Sequence, residues 1–349
     1  MEKKLKAAVL LTNSYLTSYG GIGPFVRNLD IDLGHYFDLQ YYFLPEKFEK
    51  FNKIPHRLLY VFFLLKNFAK LKQNDLIISH SPEGSYIATF TSRPLVHIFH
   101  GNTNPMEISR FKFGKNLRWF FEYIDKLIYS KAFLLYSVGE LRPGAKKFVN
   151  PISHEVQIKS PSDREGFIFA GRLEKAKCIS KLIQVYNCLP EKIKVKHKLY
   201  IAGSGSELSN LTELVKSLSL NDQVVFLGNM DNRTLIEITS KRKLLLMASA
   251  FEGFPMAIAE ALSVGVPVVS TAVGDIPRFV KDGFSGLLYP VEFSPKEYAK
   301  GIESILDGYS TFSENALVAS RPFDAKEITR NFAEEILVGL KSNSLAIVS

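Results

Sequence analysis

Short apolar runs recur along the chain, separated by longer stretches in which apolar residues return every three or four positions. The runs fall at residues 7–11, 39–43, 76–79, 95–99, 132–137, 166–170, 197–202, 223–227, 243–248, 266–271 and 286–289. Such alternation predicts parallel strands buried on both faces, each followed by a covering helix, and hence an α/β fold. Around 150–166 the pattern lapses into polar, proline-containing sequence, which reads as a linker. Residues 1–155 and 156–324 are then each long enough to hold a core of their own. Only the tail after Lys341 looks dispensable.

Composition narrows the class. With 46% apolar residues and a mean hydropathy near zero, the chain reads as globular. Its longest apolar run, 58–65, is far below the roughly 18 residues that span a bilayer. The N-terminal MEKKLK passes straight into a strand pattern without a signal-peptide cleavage site, so a cytoplasmic protein is expected. Cys178 and Cys188, on one helical stretch, suit neither a disulfide nor a zinc cluster.

Charge is unevenly placed. Residues 1–150 carry 21 Lys and Arg against 12 Asp and Glu, whereas the remainder balances at 23 against 23. The whole excess of +9 therefore lies in the first part, which points to an anionic partner there: a membrane surface or a phosphate-bearing acceptor. Two segments interleave bases with aromatics. HRLLYVFFLLKNFAKLK (56–72) fits a helix packed on a sheet with its lysines outward as well as it fits a membrane-facing one. RFKFGKNLRWFF (110–121) leans towards the membrane, at the inner face of the cell membrane. No nucleic-acid-binding motif accompanies these bases, so nucleic acid is not an expected partner.

Candidate chemistry concentrates in AFEGFPMAIAEALSVGVPVVS, residues 250–270. Pro255 suits the first position of a helix that Met256, Ile258, Ala259 and Leu262 continue. Glu252 then lies in the loop before the helix. Glu260 lies about two turns inside it, among apolar neighbours that leave it needing a partner. The amides of Gly253, Phe254, Met256 and Ala257 open the helix, where a diphosphate is stabilised.

Other motifs point the same way. FAGRLEKAK (169–177) sets Arg172 and Lys177 between a strand and a helix containing Leu182, Ile183 and Val185, where two cations neutralise a diphosphate and its departing charge. YGGIGPFVRNL (19–29) follows the first strand, and Gly20 and Gly21 let backbone amides approach an anion. LVHIFHG (95–101) puts His100 at the carboxyl end of a strand and His97 on the opposite face. LYIAGSGSE (199–207) begins like a dinucleotide fingerprint, but Leu208 replaces the third glycine and no acid closes the next strand, so NAD is not expected. Asp30 and Asp32 form a D-x-D whose members do not share a helix face, so no metal is expected there.

Two glutamates separated by seven residues and followed by ALSVGVPVVS resemble the signature of retaining GT-B glycosyltransferases of family 4, the glycosyl transferases group 1. The resemblance extends over nearly all of the chain. It implies two Rossmann-like doubly wound domains facing across a cleft. Residues 1–155 would form the acceptor side, 156–324 would hold the nucleotide-sugar donor, and a C-terminal helix within 325–349 would pack back on the first domain. It further implies that Glu252 contacts the transferring sugar, Glu260 the ribose, and Arg172 and Lys177 the donor phosphates. The loop of Gly20 and Gly21 would close over the phosphate, and His100 would hydrogen-bond beside the reacting centre. His100 and Glu252 are thus the catalytic candidates, and Gly253, Phe254, Met256 and Ala257 complete the donor set. The chain departs from the family at Cys178, where a glycine is usual, and at Asp275 and Arg278, where a glycine and a glutamate are usual.

The activity so implied is retaining transfer of a hexose from a nucleotide diphosphate sugar, UDP favoured, to a hydroxyl of a cell-surface glycan or lipid-linked saccharide, without metal or other cofactor. A sugar-nucleotide epimerase of similar fold and a non-catalytic sugar-nucleotide-binding partner protein are the alternatives.

Overall fold

The computed structural model describes residues 4–13, 22–45, 48, 55–100, 118–138, 141–152, 156, 158–252 and 256–346. The chain forms two compact units, Met1–Pro151 with Ala325–Ser349, and Ile152–Asp324. Each is built on a six-stranded parallel sheet, which gives the α/β class the periodicity predicts.

The first sheet comprises β1 (Leu5–Leu10), β2 (Phe37–Tyr42), β3 (Leu76–Ser79), β4 (Leu95–His100), β5 (Leu134–Val138) and β6 (Lys146–Phe148), in the order β2-β1-β3-β4-β5-β6. Successive side chains of a strand point to opposite faces, and here both faces are covered. Ala7 and Val9 pack with Phe25, Ile78 and Val96 on one side. Ala8 and Leu10 pack with Tyr60, Leu64, Ile77 and Leu95 on the other. The helix Ala325–Ala346 belongs to this unit: Phe332, Ala333 and Ile336 enter its core. Tyr136 Oη also donates to Glu335 Oε2 at 2.7 Å, and Lys146 pairs with the same carboxylate.

The second sheet comprises β7 (Phe167–Ala170), β8 (Leu199–Ala202), β9 (Val224–Gly228), β10 (Leu244–Leu246), β11 (Val268–Thr271) and β12 (Gly286–Tyr289), in the order β12-β11-β10-β7-β8-β9. Its core joins Phe167, Phe169, Leu182, Leu199, Ile201, Leu244, Leu246 and Val269. Strand order reverses between β7 and β10 here, and between β1 and β3 in the first sheet. Beyond the carboxyl ends of the strands at such a reversal, an open parallel sheet leaves a crevice for ligands.

The polar stretch 150–166 is a linker only at its start. The boundary between the units falls at Pro151, and the later part is integral to the second unit. Arg164 is fully buried there. Its Nη2 donates to the carbonyls of Val264 and Lys159, each at 2.9 Å, and its Nη1 to that of Gly265. Val264 and Gly265 follow the helix Met256–Ser263, so the guanidinium satisfies carbonyls at that helix end. No helix among the described residues is long and apolar enough to cross a membrane.

Candidate functional site

At the reversal of the second sheet, the loop after β7 carries Arg172 and Lys177, and the loop after β10 carries Glu252. Backbone bonds hold the first loop: Gly171 N donates to Ala202 O at 3.0 Å and Leu173 N to Ser204 O at 2.9 Å. This contact is what Gly203 and Gly205 are for. A Cβ at Gly203 would stand 1.9 Å from the oxygen of Gly171, and one at Gly205 2.3 Å from that of Leu173. The glycine pair that mimics a dinucleotide fingerprint thus serves close loop packing.

Arg172 lies open, its side chain 76% exposed, and pairs with Glu174 at 2.8 Å. An exposed pair of this kind contributes little, so a phosphate can take the guanidinium over. Arg172 and Lys177 both precede the helix that the spacing places them at, without entering it. A one-turn 3-10 helix, Lys175–Lys177, and then Cys178 at φ +48° precede the helix Ile179–Asn187. A left-handed residue there explains the family's glycine; Cys178 adopts the same conformation at a cost of about 1 kcal/mol.

Ala250 N donates to Ala176 O at 2.8 Å, which ties the two loops together and brings Lys177 to Glu252. Lys177 Nζ lies 2.6 Å from Glu252 Oε1, and Ser249 Oγ donates to the same oxygen at 2.6 Å. Glu252 is buried. Among the described residues none engages its Oε2, which can accept from a sugar hydroxyl. Gly274 packs against the main chain of Glu252: it has φ +55°, and a Cβ there would lie 2.0 Å from the Glu252 carbonyl oxygen. The loop that departs from the family at Asp275 therefore shapes the site through its backbone. Gly274→Ala is expected to displace Glu252, costing about 1–3 kcal/mol in urea denaturation and weakening nucleotide-sugar binding at least tenfold.

Glu260 sits one turn, not two, inside the helix Met256–Ser263, and is buried. Asn232 Nδ2 donates to its Oε1 at 2.7 Å. Asn232 opens the helix Asn232–Ser240, whose cap Asp231 accepts from Thr234 N. Burial pushes the Glu260 carboxyl up from 4.5 to about 7, and the Asn232 bond opposes this only in part. Met256 and Ala257, at the helix start, are half-buried. Gly20, Gly21, Gly253 and Phe254 lie outside the described residues.

In the first unit, His100 ends β4 and His80 directly follows β3. His80 Nδ1 and His100 Nε2 are 2.9 Å apart and share one hydrogen, while Phe25 packs edge-on against His100. Burial lowers both, His100 to about 3, so the pair is neutral near pH 7. His97, on the opposite face, is buried, with Nδ1 2.6 Å from Ser85 Oγ. His80 escapes a reading of the sequence because it stands one residue past its strand; the signal is that two adjacent parallel strands both finish in histidine.

A pair of doubly wound parallel sheets, one with cations and buried carboxylates at its switch point, matches the GT-B fold. Residues 153–317, most of the second unit, match the family Glycosyl transferases group 1. The chain is 26% identical over 215 residues to N-acetyl-alpha-D-glucosaminyl L-malate synthase of Bacillus anthracis, a match covering 62% of this chain and 49% of that relative. The chain thus spans about half the length of that curated relative. Among solved structures, Anabaena Alr3699/HepE in complex with UDP-glucose has a TM-score of 0.69 at 20% identity, over 96% of this chain and 100% of that one. The apo form of the lipopolysaccharide outer core galactosyltransferase WaaB has a TM-score of 0.65 at 17% identity, over 96% and 99%. At these identities the structural likeness speaks for the fold.

Proposed function

We propose that the protein is a retaining glycosyltransferase that moves a hexose from a nucleotide diphosphate sugar to a hydroxyl of a cell-surface glycan or lipid-linked saccharide, without a metal. The observation that carries this reading is the convergence of Lys177 and Ser249 on one oxygen of buried Glu252, in the segment that matches the group 1 family. Glu252 positions the sugar, Glu260 holds the ribose, and Arg172 and Lys177 take the diphosphate. His100, neutral, offers a ring nitrogen to a hydroxyl near the reacting carbon.

The acceptor oxygen bonds to the anomeric carbon on the face from which the diphosphate departs. A phosphate oxygen takes the acceptor's proton, so no side-chain nucleophile is required. Cations and helix amides then stabilise the developing charge, a contribution that is often the largest single one in such sites. UDP is the favoured carrier because Alr3699/HepE was crystallised with UDP-glucose. The positive first unit suits an acceptor or surface that is anionic, at the inner face of a cell membrane.

Glu260 gives the reading a pH signature. Ribose hydroxyls donate to a carboxylate, so below pH 7 the donor must expel a proton from Glu260 on binding. Affinity for a UDP-sugar is expected to fall by up to about tenfold per pH unit below 7. The Glu260→Gln variant should lose that slope. Above pH 7, donor at a hundred times its Kd should add about 2.7 kcal/mol of stability. Incubation of a UDP-sugar panel with glycan acceptors tests turnover directly. A product with inverted linkage, or an isomerised donor formed without acceptor, would overturn the proposal.

A further inference from the structure

The helix His56–Lys66 and the short helix Phe68–Leu71 after it present a surface that the site above does not use. Their inner side is accounted for: Tyr60, Leu64 and Leu71 are buried against Leu10, Ile77, Ile87 and Leu95. Leu58, Phe62 and Leu65 recur at four- and three-residue spacing on the outer side, at 47%, 59% and 51% exposure. The pattern is a second apolar stripe on a helix whose first stripe already fills the core.

Charge surrounds the far end of this stripe. Lys66, Lys70, Lys72 and Arg93 are exposed. Arg93 is held beside Lys72 by donating through Nε and Nη2 to the Lys72 carbonyl at 3.0 and 2.6 Å. Among the described residues no carboxylate pairs with these four. Arg57, at the other end, is already paired with Glu83 at 3.2 Å. The sequence has no Asp or Glu from Phe51 to Asn74, within a part of the chain that carries all the net positive charge.

We propose that this face docks on an anionic lipid surface, with Leu58, Phe62 and Leu65 entering the headgroup boundary and the four cations meeting lipid phosphates. The proposal rests on the reading of an anionic membrane partner given above and locates its contact. Charge complementarity selects the occupant. A second copy would bring four more cations against these four, whereas an anionic bilayer neutralises them and buries the stripe at once. The segment 110–121, which leans to the membrane on sequence, is mostly outside the described residues; Trp119 of its helical part is exposed.

The test is flotation of the full chain with phosphatidylcholine vesicles, with and without phosphatidylglycerol, at low and high salt. Binding is expected only with phosphatidylglycerol, and is expected to weaken with salt. Phe62→Ser with Leu65→Ser, and separately Lys66→Glu with Lys70→Glu, should each lower binding at least tenfold. All four positions are exposed, so folding should persist. Equal binding to neutral vesicles, or unchanged binding by both variants, overturns the proposal. So does loss of a concentration-dependent dimer in the Phe62 variant, which would give the face to a second copy. Thermal stabilisation by a UDP-sugar, measured on the same variants, reads the second unit alone. Its retention in the variants shows that lost flotation is not lost folding. A parent chain that is stabilised by the UDP-sugar but does not float with phosphatidylglycerol would reject this surface and leave the glycosyltransferase reading standing; absence of stabilisation from the parent and every variant would reject that reading instead.

Discussion

Lys177→Met is expected to lower turnover of a nucleotide sugar by about 10²–10³-fold, the loss typical of removing one preorganised donor to a developing anion. The residue has two jobs, and they can be separated. It is the buried counterion of Glu252, at 2.6 Å, and breaking such a pair by removing one partner costs about 3 kcal/mol. It is also the proposed cation for the departing diphosphate. Adding Glu252→Gln to Lys177→Met removes the stranded charge, and the double variant should recover most of the stability in urea denaturation. Turnover should remain as low as in the single variant, because neither the cation nor the carboxylate has returned. A double variant restored in both stability and kcat would make the pair structural only, and the phosphate role would fall. Arg172→Ala should act differently. Its exposed guanidinium has no buried partner, so KM for the donor should rise at unchanged stability.

How much of this was legible depended on how local each signal is. β3 and β12 coincide with the predicted runs 76–79 and 286–289, because a strand with a turn at each end writes its whole extent into a few residues. β6 left no trace. Lys146 and Lys147 belong to a three-residue edge strand, where lysine guards against further pairing and no apolar run forms. Glu252 and Glu260 were visible because they share one segment. Their partners were less so: Asn232 reaches Glu260 from 28 residues away, and Ser249, although near Glu252 in sequence, is an ordinary loop serine until folded. Arg164 is the plainest failure of composition as a guide. It stands in a polar, proline-rich stretch, yet its donors find carbonyls a hundred residues on and bury it completely. Hydrophobic period reports which face is covered; it cannot report a polar group satisfied by distant backbone.

The buried titratable groups make the two units respond differently to acid. In the first unit His80, His97 and His100 are all held well below their ordinary 6.5 by burial, His97 and His100 to about 3. The unfolded chain takes up these protons below pH 6.5, whereas the folded one does not, so each histidine removes stability as pH falls from 6.5 towards 3. Asp30 works in the other direction. Burial raises it from 3.8 to about 7, so the folded state gains a proton, and stability, between those values. Between pH 7 and 5 each of these four groups is worth about 2 kcal/mol, so the three histidines outweigh Asp30 by about 4 kcal/mol, an imbalance that Asp125, also raised by burial, offsets in part. In the second unit His197, lowered to about 4, opposes Glu260, raised to about 7, and the two nearly cancel over the same interval. Hydrogen exchange at pH 7 and pH 5, corrected for intrinsic rates, should therefore show β1, β3 and β4 losing protection while β7, β10 and β11 keep theirs. Loss of protection first in β7 and β10, or equal change in both sheets, would mean that these histidines are open to protons in the folded protein. A neutral His80–His100 pair would then no longer hold, and with it would go the role assigned to His100 as an uncharged hydrogen-bonding group.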